Sequence, residues 1–353
     1  MDKNKRGKPQ FSGECRRVKL NEICSKGKSS LRQKDVINDG LYSVYGASGV
    51  VGTTSDYQNE IPYVAIIKDG AGVGRASACE PMTSVLGTMQ ALIPNPNVER
   101  DYLLYLVRSL RLGEGFSGST IPHIYFKDYG KIEVPLPSLE AQKRIVSQLG
   151  LIEAQIEQAE AQIKQLDHLV KSRFIEMFGD PTLSVSVTLL EDIADMKAGK
   201  TTTAKEIEAF QTMDNFPCYG GNGLRGYSKT PTHKGIYPLV GRQGALCGNV
   251  QIAKGVFRAT EHAVVVDCKP LCNPEWLYHF LKYDDLGRLA TGAAQPGLSV
   301  KSLRKVPVDV PSMEQQLKFV AFTAQVDKLR FKTQQQIEKL EMLKESLMQE
   351  YFG

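Results

Sequence analysis

The chain has 353 residues, 42% of them hydrophobic, with a formal net charge of +5 and seven scattered cysteines. That length suits about two domains, and no apolar run approaches the roughly 18–20 residues of a transmembrane helix, so a membrane-spanning protein is not expected. An odd cysteine count with one close pair, Cys268 and Cys272, reads as reduced thiols in a cytoplasmic protein, not a disulfide frame or a zinc site.

Residues 1–17 read as a basic N-terminal tail without the apolar core of a signal peptide. Lys3, Lys5, Arg6, Lys8, Arg16, Arg17, Lys19, Lys26, Lys28, Arg32 and Lys34 outnumber Asp2, Glu14 and Glu22 in this first stretch. A polyanion partner and a merely solvated tail both remain open on charge alone.

Residues 18–138 read as a first globular domain. "YGASGVVG" at 45 is glycine-rich, "YVAIIKDG" at 63 is strand-like, and "DYLLYLVRSL" at 101 is an amphipathic helix. Short strands, many Gly turns and few helices suggest an α+β domain. From 139 to 179 a long helix follows. Ile145, Leu149, Ile152, Ile156, Ala159, Ile163, Leu166 and Val170 alternate steps of four and three, which is a heptad seam. Pro137 and Ser138 precede the helix, and Gly179 and Pro181 stop it. At 1.5 Å per residue it spans roughly 60 Å.

Residues 180–312 and 313–353 then repeat this plan. Tyr45, Gly46, Gly49 and Gly52 match Tyr219, Gly220, Gly223 and Gly226 at an offset of 174. At the same offset "KDGAGVG" falls on "RQGALCG", "GSTIPHI" on "GAAQPGL", "VPLPSLEAQKRI" on "VDVPSMEQQLKF" and "SRFIEMFG" on "SLMQEYFG". Upstream of residue 45 the offset slips to 170. "HAVVVDC" at 262 is strand-like and "NPEWLYHFLKY" at 273 is helical. In the second long helix Phe319, Val326, Ile337, Leu340 and Leu347 continue the seam, while Thr323, Arg330 and Thr333 make it rougher. Neither helix is stable alone. Chain order predicts that the two pack antiparallel, with a pseudo-twofold relation between the copies; a coiled coil between identical chains is the alternative.

The glycines fit no nucleotide motif. "GASGVVG" and "DGAGVG" lack the G-x-G-x-x-G spacing, and no P-loop is present. They read as turn and backbone-packing positions: Gly46, Gly49, Gly52, Gly220, Gly223 and Gly226. His123, His168, His233, His262 and His279 form no metal motif, and none has a histidine at the matching position of the other copy. Ser119 and Thr120 lack a nucleophile elbow. The residues shared by the copies are mostly Gly, Pro and apolar, which points away from duplicated catalysis. Basic residues are the polar exception: Lys68 pairs with Arg242, Lys127 with Lys301, and Lys131 with Lys305.

Two diverged domains alternating with two long helices, each entered through a "PLPSLEAQKRI"-like segment, resemble the specificity subunit of Type I restriction–modification systems over residues 17–353. The resemblance implies a non-catalytic subunit in which each domain recognises one half of a bipartite double-stranded DNA site and the helices act as a spacer. It implies two modification subunits that methylate adenine with S-adenosylmethionine, and two restriction subunits that use ATP and Mg; no cofactor is expected on this chain, and no membrane. Lys68, Lys127, Arg242 and Lys301 are then the candidates for phosphate contact, and Arg75, Arg225, Lys229 and Arg258 for base readout. A coiled-coil scaffold binding only protein is the other reading.

Overall fold

The computed structural model describes residues 15–115, 122–244, 246–292 and 296–353. Most of the basic tail, and Ser119 and Thr120, lie outside the described residues. The chain divides into two compact units. One holds the residues up to Glu160 together with Gln335–Gly353, and the other holds Ala161–Gln334.

The first unit runs β1 (Arg16–Lys19), α1 (Leu20–Ile23), β2 (Cys24–Lys26), β3 (Tyr42–Gly46), β4 (Gly49–Thr54), β5 (Tyr63–Ile67), β6 (Ala76–Cys79), β7 (Ser84–Val85), β8 (Met89–Pro94), α2 (Arg100–Ser109), α3 (Phe126–Tyr129) and β9 (Glu133–Leu136), and then enters α4 (Leu139–Phe178). Its larger sheet has the order β2-β8-β5-β6, a second has β4-β3-β7, and β1 pairs with β9. All five residues of β5 are buried, because both faces of the sheet are covered. Val64 and Ile66 pack with Tyr102, Leu103 and Leu106 of α2. Tyr63, Ala65 and Ile67 pack on the other side with Val85 and Met89. This is the continuous apolar run expected of a strand buried on both faces. Glu99 starts α2 by accepting hydrogen bonds from the backbone N–H groups of Asp101 and Tyr102.

The second unit repeats the order with α5 (Leu190–Ile193), β10 (Ala194–Ala198), β11 (Phe216–Gly220), β12 (Gly223–Ser228), β13 (His233–Gly241), β14 (Val250–Ala259), β15 (Ala263–Cys268), α6 (Pro274–Tyr283), α7 (Val300–Arg304) and α8 (Met313–Phe352). Even strand register is shared. Val44 pairs with Gly52 and, in parallel, with Ser84; Cys218 pairs with Gly226 and Arg258. The copies differ where their sequences diverge. β14 is one continuous strand, and it joins the second unit into a single sheet of order β10-β15-β13-β14-β11-β12. The first unit breaks at the same place into β6 and β7, around Pro81, which has no N–H to donate, and Met82 at φ 52°. Gly255, at φ 86°, stands where Pro81 does and lets the strand continue.

Within each unit the long helices run antiparallel. In the first, Tyr351 donates to Gln148 (2.6 Å) and Lys344 pairs with Glu153 (2.5 Å). In the second, Arg330 pairs with Asp167. Ile145, Leu149, Ile152, Val170, Val326 and Ile337 are buried, and Ile156, Ile163, Leu166, Leu340 and Leu347 are half-buried. The expected roughness of the α8 seam resolves into a polar seam of unbroken spacing. Thr323 and Thr333 are buried in it, and Arg330 and Lys344 enter it with acidic partners from α4. Such partly exposed pairs add little stability; charged and polar seam positions select register.

The helix ends explain why "MFG" and "YFG" recur. Phe352 packs on Tyr102 of α2 (5.4 Å between ring centroids), and Phe178 packs on Trp276 of α6 (6.1 Å), the equivalent residues one repeat apart. The helix starts are fixed by a side chain identical in both copies. Gln142 is fully buried; its Oε1 accepts from the Glu99 N–H and its Nε2 donates to the carbonyls of Asn97 and Pro137. Gln316 does the same with Asn273, Leu271 and Pro311.

Candidate functional site

In each unit the shared glycine motifs build one frame. β3 and β4 are joined by the two-residue turn Ala47–Ser48, and β11 and β12 by Gly221–Asn222. Gly52 and Gly226 adopt φ of 150° and 146°. A methyl group on Gly226 would lie 2.5 Å from the Glu208 carbonyl oxygen, and one on Gly52 would lie 2.3 Å from a Val36 methyl. These glycines let a neighbouring segment cross the hairpin.

The "KDG" and "RQG" segments form the second part of the frame. The Lys68 N–H donates to the Thr88 carbonyl, and its own carbonyl accepts from the Ile124 N–H. Arg242 makes the equivalent bonds with His262 and Leu298. The N–H groups of Gly70 and Gly244 donate to the carbonyls of Pro122 and Pro296. The backbone therefore explains the pairing of "KDG" with "PHI" and of "RQG" with "PGL", and it leaves the side chains at 68, 69, 242 and 243 free to differ.

The described surface of the first unit links two of the residues expected to meet phosphate. Lys68 Nζ lies 3.8 Å from Asp69 Oδ2, and Asp69 Oδ1 lies 2.7 Å from His123 Nδ1. His123 stacks near Tyr125 (6.3 Å), and Lys127 sits over the Tyr125 ring (5.3 Å). Arg75 stands apart, exposed, in a groove of about 500 Å³ with Arg108 and Arg111, which sequence reasoning had not singled out.

In the second unit, Arg225 lines a cleft of about 500 Å³ with Asn222, Gln243, Leu246 and His262. Arg242 is half-buried, and its Nε has no hydrogen-bond partner among the described residues. Lys301 is exposed on α7, and the exposed Lys229 lies 3.5 Å from Glu208. Arg258 corrects the sequence reading. It is 6% exposed and donates to Thr202 Oγ1, to the Thr230 carbonyl and hydroxyl, to the Thr201 carbonyl and to Glu206. It fastens residues 200–206 to β14 and is not available to read a base. Hydrogen bonds from Thr203, with a smaller contribution from Arg258, hold the Glu206 carboxyl below its ordinary range.

Two groups escaped the sequence reading. Gln142 and Gln316 could have been found, since they are identical at the repeat offset. The pairing of Asp69 with His123 and of Gln243 with His262 could not, because the histidines come from non-equivalent positions. Among the described residues, no helix is long and apolar enough to cross a membrane.

A family model for the Type I restriction modification DNA specificity domain matches residues 14–168 and 185–342. The chain is 46% identical over 141 residues to the Type I restriction enzyme EcoprrI specificity subunit of Escherichia coli, covering 40% of this chain and 35% of that one. It is 26% identical over 134 residues to a putative type I specificity subunit, S.HindORF215P, of Haemophilus influenzae, covering 37% and 34%. The matches thus span about a third of these curated relatives. Among solved structures, the S subunit of a Type I restriction–modification system from M. genitalium superposes with a TM-score of 0.65 at 17% identity, over 98% of this chain and 99% of that one. A chain from work on complex assembly and conformational transition of the type I R-M system gives 0.58 at 16%, over 96% and 97%. At these identities the structures speak for the fold.

Proposed function

The chain belongs to the family of Type I restriction–modification DNA specificity domains, which it carries twice, and we propose that it is the sequence-reading subunit of such a system. Each unit reads one half of a bipartite duplex site. Two modification subunits dock on the chain and methylate adenine with S-adenosylmethionine. Two restriction subunits supply cleavage driven by ATP and Mg. No catalytic step falls to this chain, in keeping with the relatives named specificity subunits.

The observation that carries this reading is one backbone used twice with different side chains. The hairpin and the "KDG" and "RQG" segments share register and hydrogen bonds across the copies, while Asp69, Val51 and Ser48 of the first unit stand where the second has Gln243, Arg225 and Asn222. Such divergence on a fixed frame suits two unlike half-sites. Lys68, Lys127, Arg242 and Lys301 would meet phosphates, which position a protein on DNA without specifying bases.

The test is to express the chain with its modification subunit and map methylated adenines. A motif of two separated half-sites is expected. Binding of the complex to that duplex should weaken linearly in log K against log salt, and Lys68→Ala and Arg242→Ala should weaken it without changing the motif. Absence of any methylated bipartite motif would instead favour a protein-binding scaffold.

A further inference from the structure

The residue after each paired basic position carries a second regularity. Asp69 and Gln243 occupy the same place in the frame, and each holds a histidine through Nδ1, at 2.7 Å from Asp69 Oδ1 and 2.6 Å from Gln243 Oε1. The histidines come from opposite sides. His123 stands where the second unit has Gly297, and His262 stands where the first has Thr88. Two copies have thus reached one arrangement, an acceptor oxygen braced by an imidazole, by different substitutions. A common ancestral histidine does not account for it. Neither pair is sealed in the core: the His123 and Asp69 side chains are 34% and 28% exposed, that of His262 is 42% exposed, and Gln243 faces the cleft beside Arg225.

We propose that Asp69 and Gln243 are the specificity-determining residues of their half-sites, with His123 and His262 as positioning residues. This rests on the DNA-reading function above. The two side chains have different chemistry on the same frame. A carboxylate only accepts hydrogen bonds and suits the N4 amino group of cytosine, whereas an amide both accepts and donates and suits the N6 and N7 edge of adenine. A braced side chain presents that pattern in one orientation. The exchange of Asp for Gln between the copies therefore makes the two half-sites differ.

Methylated-motif mapping of the chain with its modification subunit tests this. Asp69→Asn is isosteric and should reduce the preference for cytosine at one position of one half-site by about tenfold or more, the discrimination expected of one good base contact. Gln243→Glu should act likewise on adenine in the other half-site. Asp69→Glu and Gln243→Asn keep the chemistry and should keep the base. His123→Leu should broaden preference at the position Asp69 controls, whereas a purely structural role would lower methylation at an unchanged motif. An unchanged motif in Asp69→Asn and Gln243→Glu overturns the proposal. So does a change in both half-sites from one substitution, or a loss of methylation as complete with the conservative variants as with the isosteric ones. A wild-type complex with no bipartite motif would defeat the DNA-reading function itself, which is a separate failure.

Discussion

Replacing Gln316, whose side chain is buried, by leucine removes the hydrogen bonds to three partly buried backbone groups: the Asn273 N–H and the carbonyls of Leu271 and Pro311. Leucine is close in size, so the principal loss is polar. A buried group left without a partner costs about 1–3 kcal/mol. Carbonyls retain a second lone pair and these groups are only partly buried, so the low end applies, and three groups give at most about 3 kcal/mol. For a unit of this size, about 1 kcal/mol moves the transition by roughly 2–4 °C, so a fall of up to about 6–12 °C is expected. The chain supplies its own probe. Trp276 is the single tryptophan, is fully buried, and lies in the helix that Asn273 caps. Its fluorescence during heating reports the second unit. Gln142→Leu strands the matching groups in the first unit. It should lower a calorimetric transition while leaving the Trp276 transition near its original place. A shift below about 2 °C in Gln316→Leu would refute the reasoning, since three stranded groups cannot cost so little.

Arg258→Met should lower the Trp276 transition by about 2–3 kcal/mol, from the lost donors to Thr201, Thr202 and Thr230, while the methylated motif stays unchanged; an altered motif would return Arg258 to the reading surface. Gly226→Ala should cost about 2–3 kcal/mol, since strained φ adds to a clash, and Gly223→Ala only about 1 kcal/mol, because its added methyl meets nothing closer than 3.7 Å; chemical denaturation separates the two. Burial lowers the His279 pKa to about 3, from about 6.5 when unfolded. Its contribution is complete above about pH 6.5 and is lost as pH falls toward 3, at up to about 1.4 kcal/mol per pH unit. Burial raises Asp284 to about 6, which acts in the opposite sense: its contribution is complete below about pH 4 and is lost as pH rises through 6. Comparing His279→Leu with the parent at each pH isolates the first effect, and an equally steep acid loss in the variant would refute it.

Local geometry made much of this protein legible from sequence. Glycines at 46, 49 and 52 recur at 220, 223 and 226 because a two-residue turn and a close crossing require them wherever the hairpin is built. The seams of α4 and α8 could be read because helical periodicity is a property of one segment, and the identical Gln142 and Gln316 mark the same helix entry. Tertiary structure decided what the polar side chains do. The "FRAT" segment at 257 shows an exposed-looking arginine in a strand. Period-2 alternation sends Phe257 and Ala259 into one core and Arg258 to the other face, but that face is covered because residues 200–206 return across it and Thr230 meets the guanidinium from another segment. The proposed readout residues behave alike. Asp69 finds His123 54 positions away, and Gln243 finds His262 19 positions away. A sequence specifies spacing along the chain, and these partners meet across separate loops, so only the folded backbone could bring each acceptor to its imidazole.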